Sequence, residues 1–313
     1  MLDPMSSVLP EDVVDGIFEN AVCPVLFGES ASSEDPIVIM VGGQPGAGKS
    51  RVGAAARQRS GQDLVEIIGD DLRPFHPGYR LVQRYAPLRM PGVTAQASGA
   101  WVRRAIEYAV RERVSVLVEG TFRSPEVAAG TAVMFRDAGF RVEVHAVAVV
   151  PEVSRLSIAD RYVSDAAAGL PARFTDVDAH DQAFASLRKT IVRLHREEAF
   201  DRFVVWDRVG VLYDSDTAPR PGLARVREVC DREWLKRQMG IADFHEWRRR
   251  ADSVEAYLRA HHGSDEQVAA LLTQLDLDGE YLDLLTTAPA GVRVVRGRRG
   301  GGGDITRPYY ARR

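Results

Sequence analysis

The stretch PIVIMVGGQPGAGKS, residues 36–50, decides the fold of this chain. It opens with five apolar residues, 37–41, which predict a fully buried central strand of a parallel sheet. The spacing Gly43-x-x-x-x-Gly48-Lys49-Ser50 follows at once, and residues 51–59 can form a helix. A strand, a glycine-rich loop and a helix in this order form the setting in which such a loop binds phosphates.

The chemistry of this loop fits a nucleoside triphosphate. Its glycines let the backbone curl so that successive N–H groups point inward, and the following helix adds the positive end of its dipole. Lys49 can reach the β- and γ-phosphates, and the Ser50 hydroxyl suits Mg²⁺. We therefore predict ATP and Mg²⁺ as cofactors, with Ser50 as metal ligand, over a plain glycine-rich turn. The predicted nucleotide-binding residues are Gly43, Gln44, Pro45, Gly46, Ala47, Gly48, Lys49 and Ser50.

Composition and charge exclude several classes of protein. The chain has 313 residues, 45% of them hydrophobic, and a net charge of −3, which argues against a nucleic-acid partner. Two distant cysteines, Cys23 and Cys230, fit no metal or redox spacing. No apolar run approaches the ~18 residues of a membrane span, and the first 30 residues do not read as a signal peptide. We predict a cytoplasmic protein with no membrane partner.

Alternating strand and helix patterns after residue 36 predict an α/β fold. We expect a P-loop kinase-like, doubly wound parallel sheet with a helical lid and a C-terminal helical appendage. Residues 1–35 form an N-terminal helical and loop segment, and residues 36–213 form the kinase-like domain. Residues 223–290 are predicted to be the appendage, and residues 291–313, rich in arginine and glycine, a disordered basic tail.

Two further strands are predicted to end in polar residues. Strand 64–68 leads into Asp70 and Asp71, which lie near the γ-phosphate if this strand neighbours the first. Asp70 can accept the proton of an acceptor hydroxyl, although a helix-capping aspartate is an equal alternative. Strand 114–118 leads into Glu119, Thr121 and Arg123, which suit Mg²⁺ or a substrate hydroxyl and an anionic group; the alternative is a capped, solvated loop.

Arginines follow the fourth strand of the pattern. Arg161 and Arg173 flank a break at Gly169-x-Pro171, which suits two helices joined by a turn. In P-loop kinases such a segment closes over the phosphates and brings arginines to the transferring group. A single arginine on a helix usually lies on a solvated face. The phosphate loop upstream favours the interpretation that these arginines contact the transferring group.

Taken together, these loops resemble the zeta-toxin family, P-loop kinases that phosphorylate UDP-N-acetylglucosamine or related UDP-sugars. The resemblance covers roughly residues 36–213, and four motifs carry it in order. They are the Gln-Pro-containing phosphate loop 42–50, Asp70-x-x-Arg73-x-x-His76-Pro77, Glu119-Gly-Thr121-x-Arg123, and Arg161-Tyr162 with Arg173 and His180-Asp181.

The resemblance implies a role for each residue. Asp70 is the general base for the sugar 3′-hydroxyl, and Lys49, Arg161 and Arg173 neutralise the γ-phosphoryl group. The substrate-binding residues are Arg73, His76, Glu119, Thr121 and Arg123. As a toxin, the protein would deplete a cell-wall precursor and pair with a small helical antitoxin.

Two departures from the family pattern leave the acceptor open. Many members carry an aspartate two residues before the base, where this chain has Ile68, and the lid arginines lie one residue closer together than in some relatives. A kinase of another hydroxyl acceptor, such as an antibiotic or a dinucleotide, is therefore the first alternative. A nucleotide-binding or nucleic-acid partner protein that uses the arginine-rich tail is the second.

Overall fold

A six-stranded sheet forms the centre of the protein. Its strands are β1 (Ile37–Gly42), β2 (Val65–Ile68), β3 (Val116–Gly120), β4 (Arg141–Val147), β5 (Arg202–Trp206) and β6 (Val211–Asp214). Their spatial order is β2-β3-β1-β4-β5-β6. The five strands from β1 to β5 pair in parallel, and β6 pairs antiparallel with β5. The computed structural model describes residues 6–219, 221–234, 240–289, 292–299 and 305–311.

Strand β1 is the buried centre that residues 36–50 predict. All six of its residues are buried, because parallel strands between two helical layers have no solvent face. Val38 and Met40 belong to one hydrophobic cluster, whereas Ile37, Ile39 and Val41 belong to another. The alternation shows that the sheet is covered on both faces, and the predicted α/β fold with a doubly wound, largely parallel sheet is confirmed.

Eight α-helices surround the sheet within residues 11–196. They are α1 (Glu11–Ile17), α2 (Cys23–Phe27), α3 (Lys49–Ser60), α4 (Tyr79–Tyr85), α5 (Met90–Glu112), α6 (Pro125–Asp137), α7 (Pro151–Ala167) and α8 (Val177–Arg196). The N-terminal segment packs on α5, where Trp101 Nε1 donates a hydrogen bond to the Val14 carbonyl at 3.0 Å. In the described ranges, no helix is long and apolar enough to cross a membrane.

The predicted appendage consists of α9 (Leu223–Trp234), α10 (Ile241–His262) and α11 (Glu266–Thr287). Helix α9 contributes Cys230 and Trp234 to the hydrophobic cluster that covers the sheet. Helices α10 and α11 build a separate cluster with α7 and the segment that follows it. The appendage is therefore packed against the part of the chain that was predicted to be the lid.

The predicted disordered tail is wrong for the described residues 292–299 and 305–311. Strand β7 (Arg293–Val295) pairs antiparallel with β10 (Tyr309–Ala311), and β8 (Arg298–Arg299) pairs with β9 (Ile305–Thr306). Arg296 Nε donates to Glu152 Oε1 at 2.5 Å, and the Glu152 side chain is only 1% exposed. A buried carboxylate needs a cationic partner, and Arg296 of the tail supplies it for Glu152. The amino-acid composition of the tail cannot reveal this contact. The rest of 291–313 lies outside the described residues.

Candidate active site

The phosphate loop joins β1 to α3 with two residues in the left-handed region. Gly46 has φ +74° and Gly48 has φ +97°. A Cβ on Gly46 would lie 2.2 Å from the Ser154 carbonyl oxygen, so only glycine allows the loop to approach α7 this closely. A Cβ on Gly48 would meet no atom of the described residues within 4 Å, which leaves space beside it in this part of the structure. The loop is therefore a cradle with room for a phosphate at the N-terminus of α3.

Gln44 does not point toward this cradle. Its side chain is fully buried, and Nε2 donates to the Val149 carbonyl at 2.7 Å and to Ser154 Oγ at 3.2 Å. The predicted contribution of Gln44 to nucleotide binding is thus limited to its backbone. Its side chain instead fastens the loop to the start of α7.

Lys49 lies largely buried at the phosphate loop, with Glu119 as its ion-pair partner and two arginines nearby. Its side chain is 10% exposed, and Nζ lies 3.4 Å from the Gln44 carbonyl and 3.9 Å from Glu119 Oε1. The pKa of Lys49 is lowered to about 8, first by burial and then by the charges of Arg173 and Arg161, while Glu119 acts in the opposite direction. Three cations therefore converge on the phosphate loop, which is the environment an anionic ligand requires.

Glu119 lies beside the loop because β3 is the parallel neighbour of β1. Register places Glu119 opposite Val41, and Glu119 Oε2 accepts a hydrogen bond of 3.0 Å from the Ser50 hydroxyl. A hydroxyl and a carboxylate at this spacing are oxygen ligands of the kind that Mg²⁺ prefers. These residues therefore fit a magnesium ion at the phosphate loop, and Glu119 is closer to it than its predicted substrate role implies.

Asp70 lies at the same edge of the sheet but not beside β1. Strand β3 separates β1 from β2, so the condition under which Asp70 was expected near the γ-phosphate, that these two strands are neighbours, is not met. Asp70 Oδ1 accepts from Arg73 Nε at 2.9 Å, and Oδ2 pairs with Arg173. Arg173 also acts on Lys49 through its charge, so it bridges the distance that the intervening strand creates. Asp71, by contrast, is exposed.

Arg73 and His76 support the site from inside the protein. Arg73 Nη1 donates to the Pro91 carbonyl at 2.9 Å and to Thr94 Oγ1 at 2.6 Å, which ties it to α5. His76 is 2% exposed, and its Nδ1 accepts the Gly78 N–H at 3.1 Å. Burial lowers the pKa of His76, so the ring is neutral at pH 7. These contacts hold the segment that follows β2 in place. The contact of Arg73 and His76 with substrate stays a prediction.

The lid arginines differ in their surroundings. Arg161 is exposed on α7, whereas Arg173 lies in the loop between α7 and α8, not on a second helix as predicted. The Arg173 side chain is 22% exposed, and its Nε is buried with no hydrogen-bond partner in the described part of the chain. Burial lowers the pKa of Arg173. This nitrogen is a buried donor that an anionic ligand at the phosphate loop can satisfy.

Thr121 and Arg123 follow β3 at the carboxyl edge of the sheet. Thr121 is half-buried, and Arg123 is exposed without an ion-pair partner in the ranges described. Glu119, two residues before Thr121, lies opposite both Ile68 of β2 and Val41 of β1. Thr121 and Arg123 therefore follow a strand that lies between the Asp70 strand and the phosphate-loop strand.

One contact at the loop had no signal in the sequence. Arg208, in the turn between β5 and β6, donates from Nη2 to the Gly46 carbonyl at 2.5 Å and to Ser157 Oγ at 2.7 Å. It thereby holds the loop from the side opposite Asp70. A lone arginine in a hairpin turn resembles any solvated one, so only the three-dimensional arrangement identifies it.

A doubly wound parallel sheet with this loop, a converging set of cations and a carboxylate at the sheet edge defines a P-loop protein with a kinase-like fold. Comparison with known proteins gives the family: residues 26–218 match the zeta toxin family. The chain belongs to that family. The resemblance inferred from the four motifs is therefore confirmed.

Related proteins extend over most of the same region. The toxin PezT of Streptococcus pneumoniae serotype 4 is 28% identical over 229 residues, which cover 72% of this chain and 90% of that protein. A zeta toxin of Enterococcus hirae is 28% identical over 209 residues, covering 66% of this chain and 70% of the relative. Both are named as toxins.

Solved structures agree with the fold. A chain from the PezAT toxin–antitoxin system of Streptococcus pneumoniae superposes with a TM-score of 0.66 at 22% identity, covering 79% of this chain and 98% of that chain. A chain of the AvrRxo1-ORF1:AvrRxo1-ORF2 complex with ATP gives a TM-score of 0.51 at 15% identity, covering 84% of this chain and 86% of that chain. At these identities the likeness shows the fold alone.

Proposed function

We propose that the protein is a cytoplasmic kinase that transfers the γ-phosphate of ATP to a hydroxyl of UDP-N-acetylglucosamine or a related UDP-sugar. The observation that carries this proposal is the convergence of Lys49, Arg161 and Arg173 on the phosphate loop, with Asp70 held at the same edge. Membership of the zeta toxin family supports the same chemistry.

Strand order supports a division of the edge into a donor side and an acceptor side. ATP phosphates would bind at the carboxyl end of β1, in the space beside Gly48 and next to the Lys49 ammonium group. Ser50 and Glu119 would hold Mg²⁺, which when bound neutralises phosphate charge. The acceptor would bind over β2 and β3, where Thr121 and Arg123 are accessible to a sugar nucleotide and its diphosphate.

Asp70 is proposed as the general base. It would take the proton of the acceptor hydroxyl while that oxygen bonds to the γ-phosphorus and the bond to ADP breaks. Arg73 and Arg173 both pair with the Asp70 carboxylate. A bound γ-phosphate offers Arg173 a second anion, so substrate binding can release one Asp70 oxygen for the hydroxyl. Arg73 would then keep the other oxygen in place.

The acceptor class is tested by phosphate transfer from MgATP to a panel of hydroxyl compounds. We expect UDP-N-acetylglucosamine or a related UDP-sugar to be phosphorylated faster than nucleosides, a dinucleotide or aminoglycosides, because Arg123 can pair with a diphosphate. The Arg123→Ala variant should raise KM for the UDP-sugar while leaving KM for ATP unchanged. A clear preference for an aminoglycoside or a dinucleotide would contradict the proposal.

Nucleotide binding should also move a proton. The pKa of Lys49 is lowered to about 8 in the free protein, and a bound triphosphate favours the charged form and raises it. Binding of a non-hydrolysable ATP analogue at about pH 8.5 is therefore expected to take up roughly half a proton or more. Calorimetry in two buffers of different ionisation enthalpy measures this uptake.

The same titration at about pH 7 is the control for proton uptake, because Lys49 is then already charged in the free protein. The uptake should largely disappear. Proton release at the higher pH, or no difference between the two pH values, would show that Lys49 does not meet the nucleotide.

A small helical antitoxin is proposed as the partner. The family relation to toxins, and the toxin–antitoxin system from which the PezAT chain comes, support it. Co-expression of a gene adjacent to that of this protein, followed by co-purification, tests the pairing.

A further inference from the structure

The appendage shares a hydrophobic core with the helix that borders the phosphate loop. Leu156, Ala159 and Tyr162 of α7 pack with residues of α10 and α11 in one cluster. The indole of Trp247, on α10, donates a hydrogen bond to the Glu152 carbonyl at 3.1 Å. Helix α7 is therefore held by elements that lie beyond residue 218, where the family match ends.

A buried ion pair joins α11 to α7 within this contact. Asp278 is 2% exposed, and it receives two hydrogen bonds from Arg155, from Nε at 2.8 Å and from Nη2 at 2.7 Å. Such a two-point pair fixes the direction as well as the distance of a guanidinium. Although burial disfavours the charge, Asp278 with Asp181 and Glu152 holds the pKa of Arg155 above its ordinary value.

The third Arg155 nitrogen continues the chain of contacts toward α8. Arg155 Nη1 donates to Asp181 Oδ1 at 2.7 Å, and His180 Nδ1 lies 2.7 Å from the same oxygen. A carboxylate oxygen only accepts, so Nδ1 carries the proton. Burial lowers the pKa of His180, so the ring is neutral and Nε2 is an acceptor.

From His180 the contacts reach the phosphate loop. The Ser154 hydroxyl lies 2.8 Å from His180 Nε2 and donates to it, and Ser154 Oγ accepts from Gln44 Nε2 at 3.2 Å. Every member thus has a consistent donor or acceptor role. We call this series, Asp278–Arg155–Asp181–His180–Ser154–Gln44, the buried relay.

We infer that Asp278 is a positioning residue: through the buried relay, the appendage sets the shape of the phosphate loop. The loop backbone passes close to α7, since a Cβ on Gly46 would touch the Ser154 carbonyl oxygen at 2.2 Å. A small displacement of Ser154 therefore changes where the loop N–H groups point. Because a phosphate is bound by several such groups at once, misorientation weakens the whole cradle. The inference rests on the proposed function in one respect, that the loop binds ATP.

The test compares Asp278→Asn with Asp276→Asn, an exposed carboxylate on the same helix. Two quantities are measured for each variant. One is the hydrogen-exchange rate of peptides covering residues 42–50, and the other is the affinity for a magnesium-bound, non-hydrolysable ATP analogue. For Asp278→Asn we expect faster exchange in this peptide and about tenfold weaker affinity, because charge-assisted hydrogen bonds are lost. Exchange in β4 and the KM for the acceptor should be unchanged. The Asp276→Asn protein should match the wild type.

A variant at the far end of the relay shows whether the effect travels along it. Ser154→Ala removes the contact to Gln44 while leaving the Arg155–Asp278 pair intact. It should reproduce the exchange change in residues 42–50, and adding Asp278→Asn should then produce little further change there. Additive effects of the two substitutions, or an unchanged loop in Asp278→Asn, would overturn the inference.

A milder substitution covers the case in which Asp278→Asn does not fold. Gln274 Nε2 donates to Asp278 Oδ1 at 2.9 Å, so Gln274→Met loosens Asp278 but keeps its charge. Gln274→Met should speed hydrogen exchange in residues 42–50, but by less than Asp278→Asn does. An unchanged exchange rate in this peptide would refute the inference. If the wild type binds no nucleotide, the proposed function fails, whereas the exchange comparison still tests the relay.

Discussion

Replacing Arg173 by alanine is expected to lower kcat by about 10³-fold or more, the range known for arginines that meet charge on a transferred phosphoryl group. Arg173 is partly buried, its Nε has no hydrogen-bond partner among the described residues, and its charge acts on Lys49. Arg161→Ala should reduce kcat strongly as well, since its charge reaches the same lysine. The measurement is steady-state kinetics at saturating ATP and acceptor.

The affinity for ATP should fall far less than kcat in both arginine variants. The phosphate loop and Lys49 supply most contacts to the bound nucleotide, whereas the arginines contribute most when charge moves in the transition state. Arg196→Ala, on the exposed face of α8, is the control and should retain wild-type activity. Full activity in both lid variants would contradict the assignment. A higher kcat in Arg173→Ala would show that its pair with Asp70 is only inhibitory.

The second large effect is expected from Asp70→Asn, which should lower kcat by about 10²-fold or more because a general base is lost. Asp71→Asn is the matched control, since it makes the same change one residue away on an exposed side chain. Asp70 retains 37% side-chain exposure, so its substitution should not unfold the protein. Kinetics on both variants, with circular dichroism to confirm the fold, decide the assignment. A larger loss in Asp71→Asn would show that the wrong carboxylate was chosen.

Much of the framework could be predicted because its signals are local. The apolar run before Gly43 predicts a central strand, and the polar residues after β2 and β3 must meet at one edge in a parallel sheet. Asp70, Glu119 and Lys49 were therefore found as candidates from the sequence.

The order of the strands could not be predicted in this way. Nothing within residues 64–68 specifies whether β2 pairs with β1 or with β3, because both partners offer an apolar parallel strand. Strand β3 lies between the Asp70 strand and the phosphate-loop strand. The sequence names Arg173 as a candidate but gives no sign that it pairs with Asp70.

Long-range polar partners were equally hidden. Arg208, Asp278 and Arg296 look like ordinary solvated charges in sequence, yet each meets a group in a distant segment. Burial makes these pairs specific, and burial is a property of the assembled fold. Composition alone therefore misjudged the tail and gave no role to the appendage.

The central claim is tested most directly by incubating the protein with MgATP and UDP-N-acetylglucosamine and following the products by phosphorus NMR. The account predicts ADP together with a new phosphate monoester on the sugar, formed by the wild type and not by a folded Lys49→Ala protein. Its basis is that Lys49 is the one lysine in the loop that can offset the β- and γ-phosphates. Formation of the sugar phosphate at a normal rate by Lys49→Ala, or its absence with every UDP-sugar offered to the wild type, would contradict the account.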